Sequence, residues 1–512
     1  MQLTRSSGIL MHITSLPGKY GNGTLGPEAY AFADFLERSG QRYWQILPHS
    51  PVCPHLEYCP YVSPSTFAGN HLFISMEKFS EKKWVPTAIL PPSEYPYNMN
   101  FTDFPAAEKL LLEKMRMIFS VFLNEAPEDE HEDFARFCST NAWWLDDYAL
   151  FVSLAEYFKS YQWTSWDHDI MSRQPEAMRF WHEKLQSQVR FYKYLQFVFF
   201  EQWHEWKEYC NSRNIRIIGD IPIYISFDSA DAWANPGIFQ LDKETEKPFE
   251  VAGVPPDYFS PTGQRWGNPL YKWFNDDGSL FEPTMQWWLK RIQQINAFTD
   301  VIRIDHFRAF ENYWAIPEEE ETAVKGEWRQ GPSHAFFERV KMELGELPFI
   351  AEDLGIITPE VEHLRDDLEL PGMKILQFAF DGNPRNSYLS FNLANPNCVV
   401  YTGTHDNDTT NGWYYTSGLN DDYKRIIRRY MNIVNDDDFH WKLINYAFSS
   451  VAHLVIIPTQ DILGFGKEFR MNTPGLVSGN WKWMMMPGML TDSIASRLNE
   501  LAFIFNRIPE KD

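Results

Sequence analysis

Arg303, Asp305 and His306 interrupt the apolar run VIRIDHFRAF at residues 301–310, where a buried strand should hand over to a loop. Other apolar runs end the same way: Asp220 closes IRIIGDIP, Glu352 and Asp353 follow PFIA, Asp406 lies in VVYTGTHDN and Asp461 in LVIIPTQD. Taken singly, an aspartate at such a junction reads as a helix N-cap. Together they read as a site. Paired carboxyls in one pocket can break a glycosidic bond, one attacking or stabilising the anomeric carbon and the other, kept protonated, donating to the leaving oxygen. Arg303 and Asp305 fall on one face of a strand, with Ile302 and Ile304 on the other. A guanidinium so placed holds Asp305 ionised, as a nucleophile requires, whereas Glu352 after its apolar run is suited to keep a proton. His405 beside Asp406 sets a donor next to an acceptor, a pairing that grips adjacent sugar hydroxyls.

Groups at strand ends need strands to carry them. Eight apolar runs can be named: GILMHI from residue 8, YWQILP from 43, IRIIGDIP from 215, VIRIDHF from 301, PFIAEDLG from 348, MKILQFAF from 373, VVYTGTHDN from 399 and LVIIPTQD from 454. Helical patterns or loops separate them, which predicts a (β/α)8 TIM barrel, an architecture whose functional groups gather at the carboxyl ends of the strands. The spacing predicts one catalytic barrel over residues 1–512, with a mainly helical insertion at 65–210 between the second and third strands. A further insertion follows the third strand at 226–290 and includes a lid loop at 251–260, with Gly253 as its hinge and Pro255 and Pro256 as stiffeners. From 175 to 209 a helical stripe carries Trp181, Leu185, Val189, Tyr192, Phe199, Trp203 and Trp206, read as core. No repeat or linker separates a second folding unit.

Composition narrows the function classes. The 46 Lys and Arg stand against 69 Asp and Glu, a net charge of −23. Such a chain repels nucleic acid and anionic membranes, and a neutral or cationic substrate suits it better. No apolar stretch approaches a membrane span, and no secretory leader is evident at the start. Five cysteines spread along 512 residues suit a reducing compartment, which predicts a cytoplasmic protein. Cys53, His55 and Cys59 lie close together but lack further ligands at zinc spacing. No metal is expected, because Arg303 would repel a cation from the carboxylates.

The motifs RIDHFR, AEDLG and YTGTHDND, in that order and at strand ends, resemble those of the amylomaltases, the 4-α-glucanotransferases related to the α-amylases. HITSLPGKYGNGTLG, FAGN, GDIPIYISFDSADAW, VAGVPPDYFSPTGQRWGNPLY, PGMKILQFAFD, RMNTPG and GNW extend the resemblance along the whole chain. It implies Asp305 as nucleophile, Glu352 as acid and then base, and Asp406 as stabiliser of the distorted sugar. Arg303, His405, Asp220 and Asn407 would support substrate binding, with Tyr61, Tyr258 and Trp266 stacking on sugar rings. It also implies no cofactor and no C-terminal β-sandwich. The expected partners are maltooligosaccharides, α-1,4-glucans and glucose, handled by a monomer or weak homo-oligomer in glycogen or maltodextrin metabolism. An α-1,4-glucan hydrolase using the same carboxylates is the alternative. Val62 and Phe391 depart from the family pattern, which usually has glutamine and histidine there.

Overall fold

In the computed structural model, which describes residues 3–92, 101–242, 245–256 and 260–508, the strands in chain order are β1 (Ser6–Leu10), β2 (Tyr43–Gln45), β3 (Arg216–Pro222), β4 (Glu250–Val254), β5 (Gln264–Pro269), β6 (Val301–Asp305), β7 (Asn312–Pro317), β8 (Glu327–Gln330), β9 (Phe349–Ala351), β10 (Gly372–Ile375), β11 (Cys398–Tyr401) and β12 (Leu454–Pro458). Eight of them close a barrel in the order β1-β12-β11-β10-β9-β6-β3-β2. Every neighbouring pair runs parallel. Each of the eight apolar runs overlaps one of these strands. They are rich in Ile and Val because parallel strands are covered on both faces. At the amino end of the barrel the fully buried Arg507 donates to the carbonyls of Ser6, Phe448, Ser450 and Ala452. The opposite end is thereby left for chemistry.

Between β2 and β3 lie the helices Phe104–Glu125, Glu128–Phe158, Pro175–Lys184 and Gln186–Ser212. The aromatic stripe from Trp181 to Trp206 is buried, although the helix breaks at Leu185. Its polar members do a separate job. Gln196 accepts from the Gly69 N–H at 2.8 Å and donates to its carbonyl at 2.9 Å, and Gln202 repeats this on Ser75 at 2.7 and 3.0 Å. The segment after β2 has no strand neighbour there, so two side-chain amides satisfy its backbone. Gly69 is required by close approach, since a Cβ there would lie 1.8 Å from the Phe199 ring.

The remaining strands form an antiparallel sheet of order β5-β4-β7-β8. It draws on two segments of chain, 250–269 after β3 and 312–330 after β6; the second lies beyond the 226–290 boundary drawn from sequence. This sheet corrects the reading of the lid. Residues 250–254 are a strand, and Gly253 is paired with Arg265 on one side and Trp314 on the other. A Cβ at Gly253 would approach the Gln264 carbonyl to 2.3 Å, so this glycine permits close strand approach and is not a hinge. The reason is local: Val251 is buried with Ile316 and Ala323 in a small core of its own. The tip of the expected lid, including Tyr258, lies outside the described residues.

Gly69→Ala is expected to destabilise the chain by about 1–3 kcal/mol, the usual cost of overpacking. Phe199→Leu in the same chain should recover part of that loss. Urea unfolding midpoints of the single and double variants test the pair, and additive losses would show that the two groups do not collide.

Candidate active site

Strand register brings the sequence-predicted groups together. β3 pairs with β6 so that Asp220 lies opposite Arg303, and residues in register on neighbouring strands point to the same face. The pairing of β6 with β9 runs through Ile304 opposite Ala351, and the Glu352 N–H donates to the Ile304 carbonyl at 3.1 Å. Asp305 and Glu352 are therefore the next residues out on adjacent strands. Arg303 lies inside this group with only 3% of its surface exposed. Its Nη1 is 2.9 and 2.7 Å from the two oxygens of Asp220 and 2.9 Å from Oδ1 of Asp305. One cation serves two carboxylates, and the Tyr61 hydroxyl donates to Asp220 Oδ2 at 2.8 Å.

Glu352 is held differently. Its Oε2 accepts from the backbone N–H of His306 at 2.7 Å and its Oε1 from that of Leu354 at 3.0 Å. His306 adopts a left-handed backbone (φ 54°), an uncommon conformation for a residue with a side chain. Burial pushes the Glu352 carboxyl up to about 8, opposed by the Arg303 guanidinium and the two N–H donors and reinforced by the charge on Asp305. Adjacent strand ends thus carry carboxyls in unequal surroundings, one against a guanidinium and one that retains its proton at neutral pH.

Asp406 lies on the loop after β11. Burial raises its carboxyl, but His405 (Nε2 3.3 Å from Oδ2), the Asn472 amide (2.6 Å from Oδ1) and Arg303 prevail and hold it well below the usual carboxylate range. The buried His405 ring stacks on Tyr61 at 5.2 Å and an interplanar angle of 17°, and Trp481 lies tilted against both. Asn472 and Arg470, which donates to the Asp406 carbonyl, are functional neighbours that side-chain reasoning missed. Only the RMNTPG motif pointed to them.

Trp266 on β5 is 38% exposed and meets the ring of His306, the residue after Asp305, in a T-shaped contact at 4.8 Å. Asn407 is tied into its own turn, its Oδ1 accepting from the Thr404 N–H and hydroxyl, both at 2.9 Å. Two of the strand-end acids serve the scaffold. Asp461 accepts from the Thr402 hydroxyl and the Thr410 N–H, bracing the loop that bears His405 and Asp406. Asp353 is buried against Arg365 and the Met373 N–H. Among the described residues no group of three or more His, Cys, Asp or Glu is arranged to hold a metal ion. Cys53 is buried and His55 stacks on Tyr161 at 4.9 Å. No described helix is long and apolar enough to cross a membrane.

A family model described as 4-alpha-glucanotransferase matches residues 11–490. The chain is 44% identical over 504 residues to a 4-alpha-glucanotransferase of Synechocystis sp., covering 98% of each. It is 42% identical to one of Thermus thermophilus, covering 99% of this chain and 100% of the relative. Among solved structures it resembles the amylomaltase from Streptococcus agalactiae in complex with acarbose, with TM-score 0.93, 35% identity, and 98% and 99% of the two chains covered.

The raised Glu352 carboxyl has a consequence for stability. Between its ordinary value of 4.5 and about 8 the folded chain keeps a proton that the unfolded chain has released. The contribution is therefore full below the unfolded value and lost as pH rises through the folded one. Glu352→Gln removes this dependence, so the melting temperature of the variant relative to the parent should be higher at about pH 8 than at about pH 5. Calorimetry at both values checks the sign.

Proposed function

The chain belongs to the 4-alpha-glucanotransferase family, and from that premise we propose how its site performs the transfer. It is a 4-alpha-glucanotransferase, moving a segment of an α-1,4-glucan to the 4-hydroxyl of an acceptor glucan or glucose. The observation that carries the mechanism is the pair of unequal carboxyls on adjacent strand ends. Asp305 attacks the anomeric carbon of the donor as the proton of Glu352 passes to the departing glycosidic oxygen. The C–O bond breaks, a glucosyl ester forms on Asp305, and the shortened glucan leaves with a new 4-hydroxyl. Esterification removes the charge of Asp305, one of the influences that keep Glu352 protonated. Glu352, now a carboxylate, can then take the proton of the incoming 4-hydroxyl, whose oxygen displaces Asp305 with retention of configuration.

Arg303 pairs with Asp305 at 2.9 Å without coordinating the sugar, because it is buried behind the carboxylate. Asp406 remains an acceptor throughout and, with His405, grips neighbouring hydroxyls of the distorted donor ring. Tyr61 is fixed by Asp220 and backed by His405, so its free face forms a wall for that sugar. Trp266 would hold a sugar ring farther along the glucan.

Purified protein given maltotriose should produce glucose and a ladder of longer oligomers with almost no rise in total reducing ends. A rising count of reducing ends without longer products would favour the hydrolytic reading. Glu352→Gln should slow transfer from maltotriose by about 10²–10⁴-fold, the usual worth of a positioned acid. A glucosyl fluoride donor, which needs no proton to leave, should still label Asp305 in that variant, and mass spectrometry finding another residue labelled would refute the assignment. For the parent, kcat/KM should fall on the alkaline side with an apparent pKa near about 8, where Glu352 loses its proton.

A further inference from the structure

A second cleft lies on the outer flank of the barrel, apart from the carboxyl ends of the strands. It occupies about 450 Å³, within the range of small-molecule sites, between the helices Asp421–Met431, Phe439–Phe448 and Asp492–Ile504. Its walls include Tyr430, Trp441, Tyr446, Asn445, Ser449 and Arg497. None of these touches the carboxylates described above.

The chemistry of the lining selects among ligands. Among the described residues no carboxylate lines it, in a chain of net charge −23. Two cations do, but neither is arranged for an anion. The Lys442 ammonium is already bound to the Asn435 carbonyl and side-chain oxygen. The Arg497 guanidinium lies over the Trp441 ring, 4.2 Å from its centroid. Tyr430 and Met431 form the last turn of one helix, and Ser449 is the C-cap of the next. Helix C-termini carry the negative end of the dipole and disfavour phosphate or carboxylate. What remains is aromatic surface interleaved with neutral and edge-on hydrogen-bond donors. At its rim Phe391, 60% exposed, packs against Tyr430 with ring centroids 5.6 Å apart. Trp441 and Tyr446 are buried in the floor, but the half-buried Tyr430 and the exposed Phe391 offer aromatic surface beside amide, hydroxyl and guanidinium groups, which suits a neutral polyhydroxylated ring whose C–H face stacks while its hydroxyls exchange hydrogen bonds.

We propose that the Tyr430–Asn445–Arg497 cleft is a second α-glucan site, which docks a distant stretch of a long substrate while the carboxyl pair works on its end. The proposal rests on the glucanotransferase reading for the identity of the sugar. It makes long and short substrates differ: a glucan that spans both sites gains effective concentration at the reaction centre, and maltotriose does not.

The test uses the full chain with Tyr430→Ala and with Asn445→Trp. The second fills the cleft from an exposed position, so it leaves the core intact. Native electrophoresis through a gel containing glycogen should show the parent retarded and both variants less so. KM for amylose should rise by about fivefold or more in the variants, a loss of roughly 1 kcal/mol of binding, while kcat and KM for maltotriose stay as in the parent. Unchanged retardation and unchanged KM for amylose would overturn the proposal. So would an equal loss on amylose and maltotriose, which would mean that the substitutions act through the barrel. Relief of retardation by glucose 6-phosphate but not by maltoheptaose would assign the cleft to an anion and also overturn it. A parent that binds glycogen yet fails to disproportionate maltotriose would count against the catalytic reading alone and leave the docking site standing.

Discussion

A buried arginine governs the arrangement of this molecule's reaction centre. Arg303 is nearly inaccessible to water, and a cation in that position is tolerable only where carboxylates surround it. Asp220 and Asp305 supply them, one from the neighbouring strand and one from two residues along. The dependence runs both ways: Asp305 balances the buried cation at a strand end, and the charge on Asp305 in turn helps Glu352 hold its proton. Tyr61 joins through Asp220 and carries the contact on to His405, so four barrel strands and the loop after β2 converge on one cation.

Much of this was legible because strand periodicity is strict. Residues 303 and 305 must share a face, and the paired residue of a parallel neighbour must share it too. The eight apolar runs were readable for a related reason: strands covered on both faces are mainly apolar, and acids such as Asp220 and Asp305 appear toward their carboxyl ends. The unequal carboxyls followed from their neighbours, a guanidinium for Asp305 and the apolar PFIA for Glu352.

What escaped the sequence was whatever depends on backbone direction or on contact between distant segments. The N–H groups that hold Glu352 belong to His306 and Leu354, and no side-chain type announces them. Asp461 looks like Asp220 on paper, yet its partners are a hydroxyl and an N–H in a loop some fifty residues away, and it braces that loop. Gly253 shows the same limit. Glycine before paired prolines reads as a hinge, and only the strands on either side of it reveal a residue held still on both edges.

The four-stranded sheet beside the mouth of the barrel has an implication for how this architecture varies. Because β5 and β4 come from the connection after β3 while β7 and β8 come from the connection after β6, neither connection is a module. Inserting or deleting a residue in one would shift its side chains to the wrong face of the other. Lineages of such barrels should therefore change the two connections in concert. A chimaera that borrows a substrate-facing segment from another barrel must import both pieces, some fifty residues apart in the chain, or neither.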